Sequence, residues 1–350
     1  MTLDITQNGG TGMDLYAGID LHSNNGFYGI CNEKGERILQ KKLPNELPRV
    51  LKILEPFKKD IKAIAVESTY NWYWLVDGLM DAGYPVDLAN PAGMTQYNGL
   101  KHADDKSDAF FLAELLRLHI LPTGYIYPRE ERAVRDMLRR RMMLVQHRTS
   151  HILSFQSMIS RQTGSGMPGN TIKTLKEEDI QDYFNDEYLI LIGETNISVI
   201  RHLTEKIRRF EKEVQKRVKI KPEYEKLQTV PGIGKILTLT IMLETGPLSR
   251  YAGAGNYASY CRTVKAIHTS NNKKKRNLNQ KNGNKYLGWA YVEAANYMRR
   301  YCPEANRYHQ KKMARSKRVV ATKALASKIS KACFYIMRDQ VNFDVKKMFG

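Results

Sequence analysis

The chain has no disulfide framework: its four cysteines, Cys31, Cys261, Cys302 and Cys333, stand far apart with no paired spacing. Their isolation argues against a stapled scaffold or a zinc site and predicts free thiols in a reducing compartment. No apolar run approaches the roughly 20 residues that span a bilayer. No secretory signal is expected at the N-terminus, which points to the cytoplasm. Acidic residues are scarce at one end, where 227–350 hold 24 Lys+Arg against 5 Asp+Glu, a net of +19. The beginning is the reverse: 1–128 carry 12 basic and 16 acidic residues, a net of −4, while 129–350 carry +24. Such a split suggests metal chemistry in an acidic domain and phosphate contacts along a basic remainder. With 350 residues, 42% of them hydrophobic, two or three cores can be buried.

Residues 1–14 read as a polar lead-in. An apolar run over 15–22, strand-forming residues over 27–31 and 37–43, and a Gly-containing turn at 32–36 predict an antiparallel three-strand meander. An amphipathic helix over 48–59, a buried strand over 61–66, a helix over 72–83 and a strand over 86–89 follow. A further helix begins near Asp105. This order, βββαβαβα, predicts an α/β ribonuclease H-like domain over 15–128, in which ligands collect beyond the strand ends. Asp20 and Glu67 each end a predicted strand, and Asp105 and Asp108 lie i, i+3 on the first turn of the last helix. Four hard oxygen donors in one cleft would suit Mg²⁺ or Mn²⁺. Each also has a plain alternative, as a strand end or a helix cap, and a one-residue slip would exchange Asp104 for Asp105.

Residues 129–226 read as a helical connector. Two long helical stretches, 130–161 and 188–219, flank a Gly-rich break over 163–169, which suggests an antiparallel hairpin or coiled coil suited to oligomerisation. Met137, Leu144, His147, His151 and Phe155 are seam candidates. His147 and His151 have metal spacing but no evident third ligand, and Arg139, Arg140, Arg141 and Arg148 form a basic cluster. The last part, 227–350, is expected to be mainly α-helical. Its Pro231-Gly232-Ile233-Gly234-Lys235 resembles the turn of a helix-hairpin-helix, which offers amides to a phosphate; a plain tight connection is the alternative. The polar, basic run over 261–276 reads as a flexible loop. Lys281-Asn282-Gly283-Asn284-Lys285-Tyr286-Leu287 then leads into a helix over 288–300.

These residues together resemble insertion-sequence transposases related to the Piv and MooV recombinases, from Tyr16 to about Gln340. Members of that family use a structured bridge RNA. They have a Holliday-junction-resolvase-like domain with an Asp-Glu-Asp-Asp quartet, a helical connector and a C-terminal transposase domain. The resemblance assigns the quartet to Asp20, Glu67, Asp105 and Asp108 and a nucleophilic serine to Ser270. Two departures stand out: Asn271-Asn272 replace the usual glycines, and Gly288 stands where a basic residue is usual. Asn tolerates left-handed backbone better than most residues.

The resemblance implies RNA-guided recombination in which Ser270 attacks a DNA phosphodiester and forms a phosphoserine link. The quartet's Mg²⁺ would polarise the phosphate, and Lys273, Lys274, Lys275 and Arg276 would offset charge on its oxygens. Gly232, Gly234, Lys235, Lys281, Asn284 and Lys285 are the other candidate nucleic-acid contacts. Serine and quartet would act together from different protomers, in a homodimer or homotetramer of the prokaryotic cytoplasm or nucleoid. Donor and target DNA and a guide RNA are the implied partners. A Mg²⁺-dependent junction nuclease using water and a non-catalytic nucleic-acid binder are the alternatives. A sugar-kinase-like ATPase would need a second copy of the fold, which is not visible.

Overall fold

The computed structural model describes residues 12–94, 96–97, 105–217, 222–264, 268–270, 273–275 and 282–350; the side chains of 105–107, 217, 268–270 and 273–275 are outside that description. The chain divides into two compact units, Met1–Ile126 and Tyr127–Gly350, so the connector and the C-terminal helices share one unit.

The first unit is built on a five-stranded sheet. In chain order come β1 (Leu15–Leu21), β2 (Asn25–Asn32), β3 (Arg37–Pro44), α1 (Leu47–Leu54), β4 (Ile61–Glu67), α2 (Tyr73–Asp81), β5 (Val86–Ala89), the single turn α3 (Pro91–Met94) and α4 (Asp105–Arg117). The spatial order is β3-β2-β1-β4-β5, with β1, β4 and β5 parallel and the β1–β2–β3 meander antiparallel. This is the expected ribonuclease H-like arrangement. Ile19, Ile64 and Val66 pack on one face of the sheet with Leu54 and Leu75 of α1 and α2. The helix expected over 48–59 stops at Leu54 and passes into a 3₁₀ turn over Glu55–Phe57, because Pro56 has no amide to continue the α ladder. The lead-in expected for 1–14 lies mostly outside the described residues; Asp14 pairs with Lys62 at 2.9 Å.

On the other face, α4 is seated on two glycines. Gly18 and Gly29 are cross-strand partners in β1 and β2. A Cβ on Gly18 would overlap the Ala109 carbonyl and stand 2.7 Å from the Ala113 amide, and one on Gly29 would meet the Phe110 ring at 3.0 Å. Only glycine lets the helix backbone lie this close. Ala65 of β4 packs with Leu112 and Leu116 on this same face.

The second unit begins with a helical hairpin of α5 (Arg129–Thr163) and α7 (Glu187–Arg217), joined through the short α6 (Gly169–Ile172). Pairs 141–211, 148–204 and 151–196 show that the two helices run antiparallel. Arg141 bonds Glu211 at 2.5 Å, Arg148 bonds Thr204 at 3.1 Å and His151 Nδ1 meets Asn196 Oδ1 at 3.1 Å. Phe155, Ile159, Ile197 and Ile200 fill the far end with Ile172 and Ile180. His147 is exposed and stands off the seam, a correction to its reading as a seam residue.

The remainder is helical: α8 (Glu223–Gln228), α9 (Lys235–Thr245), α10 (Ala254–Tyr260), α11 (Lys285–Tyr301), α12 (Pro303–Met313), α13 (Arg318–Asp339) and α14 (Val345–Phe349). A two-stranded hairpin, β6 (His268–Ser270) with β7 (Lys273–Lys275), lies between α10 and α11. Helices α11 and α13 dominate this core, through Leu287, Ala294, Met298, Leu325, Ile329 and Cys333. All four cysteines are free and buried, as expected from their spacing. No described helix is long and apolar enough to cross a membrane.

Candidate functional site

Strand register and the direction of one helix set the places of the carboxylates in the first unit. Asp20 follows Gly18 by two residues on β1 and so shares its face, the face covered by α4. Glu67 follows Ala65 by two on β4, and the register Gly18↔Ala65, Ile19↔Val66 brings Glu67 level with Asp20 on that face. The direction of α4 is set at its other end. There Arg117 Nη1 donates to the Glu33 carbonyl at 3.0 Å, beside the β2–β3 turn and the start of β1. Its first turn, with Asp105 as first residue and Asp108 one turn on, therefore lies toward the carboxyl ends of β1 and β4. Asp20 is 4% exposed, while Glu67 and Asp108 are half-buried; the Asp105 side chain is outside the described residues. Among the described residues, no three His, Cys, Asp or Glu side chains converge closely enough to hold a metal. The donors on the strand ends are nonetheless hard oxygens, the chemistry a divalent cation such as Mg²⁺ requires.

His22 is a neighbour the sequence reading passed over. Its Nε2 lies 3.3 Å from Asp20 Oδ2 with the imidazole 42% exposed, and its ring meets Phe27 edge-on. The loop behind it is held by Asn45 and Asn71, whose side-chain amides both donate to the His22 carbonyl at 3.0 Å. The signal was present in Asp20-Leu21-His22, but a histidine at a strand end has many uses.

In the second unit the expected flexible loop is a hairpin where it is described. Ser270 is the last residue of β6 and pairs with Lys273, the first of β7; Thr269 pairs with Lys274 and His268 with Lys275. Asn271-Asn272, between the two strands in sequence, lie outside the described residues, as do Arg276 and Lys281. The chain enters and leaves this segment through a closed neck. The Asn284 amide donates to the Tyr260 carbonyl at 2.6 Å, and Arg262 Nε donates to the Asn282 and Gly283 carbonyls at 3.0 Å. Thr263 Oγ1 donates to the Ala258 carbonyl and meets Ser330 Oγ at 3.0 Å.

Asn284 has a structural task. Its Oδ1 accepts from the Tyr286 and Leu287 amides, capping α11, and its Nδ2 donates to Glu244 Oε2 at 2.8 Å. Glu244, 1% exposed at the end of α9, is also gripped by the Arg139 fork, with Nε to Oε1 at 2.5 Å and Nη2 to Oε2 at 2.8 Å. The same guanidinium lies 4.4 Å from the Tyr286 ring. A charged pair this deeply buried holds only because its hydrogen bonds are supplied. Of the basic cluster on α5, therefore, Arg139 and Arg141 are tied to acids, and Arg140 is exposed. Glu244 could have been suspected from sequence as a lone acid directly after the largely apolar run 236–243.

The turn at Val230–Gly234 links α8 to α9 as a helix-hairpin-helix. Gly232 has φ +89°, and a Cβ there would stand 2.5 Å from the Met298 amide and 2.8 Å from the Ala294 carbonyl of α11, so only glycine fits. Gly234 is the residue before α9 with open space around it, and Lys235 opens the helix exposed. Lys285, the first residue of α11, is exposed as well.

Two family profiles match the chain. Residues 17–162 match a transposase family, the DEDD transposase of IS110 type, and 224–310 match the Transposase IS116/IS110/IS902 family. No curated protein matches. The matched stretches, 146 and 87 residues of 350, include all but the first two residues of the carboxylate-bearing sheet and the segment from α8 through α11 but for its first residue. A ribonuclease H-like sheet with carboxylates at its strand ends, followed by a helical unit containing that second segment, agrees with both matches, and the chain is a DNA transposase that carries these two IS110-type transposase domains.

Proposed function

We propose that this transposase cuts and rejoins donor and target DNA through a covalent link to Ser270, guided by a structured RNA and assisted by Mg²⁺ at Asp20, Glu67, Asp105 and Asp108. The observation that carries the reading is the alignment of Asp20 with Glu67 on the α4 face, at the end of the sheet toward which the first turn of α4 lies. DEDD-type transposase domains typically use divalent metal ions. A bound ion would supply Lewis-acid polarisation of the phosphate and stabilise charge on the attacking and leaving oxygens.

Ser270 Oγ forms the new ester bond to phosphorus, and the bond from phosphorus to the adjoining deoxyribose oxygen breaks. That oxygen leaves with a proton, and the serine gives one up. One phosphoester replaces another, so rejoining is the same step in reverse with a different deoxyribose hydroxyl. The antiparallel pairing of Ser270 with Lys273 supports this role, since it places a basic residue's backbone directly across from the serine. A homodimer or homotetramer with composite sites, acting in the cytoplasm, completes the proposal.

The test is whether cleaved DNA stays attached to the protein through a phosphoester that resists denaturant. Ser270→Ala should lose the adduct and Thr269→Ala should keep most of it, with peptide mapping placing the link within 266–273. Sequencing RNA that copurifies with the protein tests the guide. A water-using nuclease is the second reading, favoured by His22, which stands beside Asp20 and could take a proton from water. Free ends with no adduct at all would establish that reading instead, whereas an adduct surviving Ser270→Ala would move the nucleophile to another side chain.

A further inference from the structure

Along α11, Trp289, Glu293, Tyr297 and Tyr301 recur every fourth residue and form a slowly winding stripe. The first three line a groove of 780 Å³ whose opposite wall holds Arg141, Arg148 and Lys173. Tyr297 and Tyr301 line a second groove, of 520 Å³, with the Pro231–Lys235 turn. The two grooves share Ile236, Leu237 and Tyr297 and are therefore adjacent. Tyr297 is 42% exposed and Tyr301 69% exposed, so two large flat rings are offered to solvent beside a row of cations.

The cations are crowded. Arg141 is compensated by Glu211. Arg148 reaches only Thr204, and its Nε is buried with no hydrogen-bond partner among the described residues. Burial first, and then Arg141 and Arg208, hold the Arg148 pKa below its ordinary value; burial and Arg148 do the same to Lys173. Lys235 extends the row into the second groove, and Arg300 lies 5.5 Å from the Tyr297 ring centroid. Glu293 is the one acid among the lining residues, and burial raises its pKa. Like charges gathered in a concave site are relieved by an anion.

We propose that this groove binds an unpaired nucleic-acid strand, its bases stacked on Trp289, Tyr297 and Tyr301 and its phosphates on Arg148, Lys173 and Lys235. Rings about 6 and 12 Å apart along the helix axis suit separate bases of an extended strand. A duplex keeps its base faces stacked on one another and has none to offer a tyrosine; an unpaired segment has both faces free. Ribose and deoxyribose strands share this chemistry, and the two arms of the experiment distinguish them. The proposal rests on the reading of the protein as a nucleic-acid enzyme, not on the serine mechanism.

The test is fluorescence anisotropy on the full-length protein with labelled oligouridylate and oligothymidylate of about 12 nucleotides, beside a duplex of equal length. Tyr297→Ala with Tyr301→Ala, both on exposed rings, should weaken single-strand binding about tenfold or more and leave duplex binding within a factor of about two. Tyr297→Phe, which keeps the ring, should restore it. Lys173→Gln should lower the slope of log affinity against log salt by about 0.7. The arm that binds more tightly, RNA or DNA, names the source of the strand. Wild-type single-strand affinity in the double variant, or equal loss for duplex and single strand, would overturn the groove. Ser270→Ala should bind both oligonucleotides normally, so failure of the serine mechanism and failure of the groove are read in separate assays.

Discussion

Among the described residues two carboxylates are almost fully buried, Asp20 in one unit and Glu244 in the other, and they are treated in opposite ways. Glu244 has both oxygens taken by the Arg139 fork and the Asn284 amide, in a region that is otherwise strongly basic. Asp20 lies in the acidic unit, level with another carboxylate, and a half-exposed histidine stands 3.3 Å from it. Burial of a charge is thus no sign of a site by itself. What distinguishes them is the neighbour: Glu244 is met by a guanidinium and a capping amide, which make a structural joint, whereas Asp20 has a strand-end carboxylate level with it and an imidazole beside it.

The sharpest way to break this contrast is to neutralise each acid without changing its shape. Asp20→Asn should lower DNA strand cleavage by about 10³-fold or more, equivalent to ~4 kcal/mol of barrier, with thermal unfolding nearly unchanged. Cleavage at the wild-type rate in Mg²⁺ would remove Asp20 from the site. Glu244→Ala should act on stability, since breaking one side of a buried pair costs about 3–5 kcal/mol. For a unit of this size that is a fall in Tm of roughly 6–20 °C. Arg139→Met combined with Glu244→Leu should recover much of the loss, because apolar replacements leave no uncompensated charge; a double variant no better than the single would show that the pair itself is not the joint.

A third test moves the scaffold instead of the acid. Gly18→Ala places a methyl against the Ala109 carbonyl, and overpacking of this kind costs about 1–3 kcal/mol. Because α4 must lift from β1, cleavage should fall further than the Tm shift alone predicts. Loss of stability with activity retained would mean that the helix position is not needed.

The smallest effect concerns Glu293. Its carboxyl is held above the ordinary value of 4.5, by burial first, against the lowering influence of Arg141 and Arg300. The folded state therefore keeps a proton that the unfolded chain releases, so stability falls as pH rises from the ordinary value through the raised one. Glu293→Gln should raise Tm relative to wild type at pH 7 but not near pH 4. A gain that is the same at both pH values would assign the effect to packing.

Much of the first unit was legible because its signals are local. Strand formers end in acids at Asp20 and Glu67, turns carry Gly or Asn, and the helix order follows periodicity. The boundary that moved most, at Leu54, did so where Pro56 interrupts the ladder. The 261–276 run was less legible: its polar composition reads as loop, yet residues 268–270 and 273–275 pair as strands, since pairing depends on register and not on apolar content.

The sequence by itself determined the charge division, the element order of the sheet, the free thiols and the residue pattern that led to the transposase resemblance. Each depends on spacing along the chain or on composition. Tertiary structure alone decided that Arg139 binds Glu244, 105 residues away, that Gly18 and Gly29 form a seat for α4, and that Trp289, Tyr297 and Tyr301 border a cationic groove. Those are choices of partner made across the fold. A side chain's periodicity says which face it occupies, but only the packed neighbour determines whether that face meets an acid, a helix backbone or solvent.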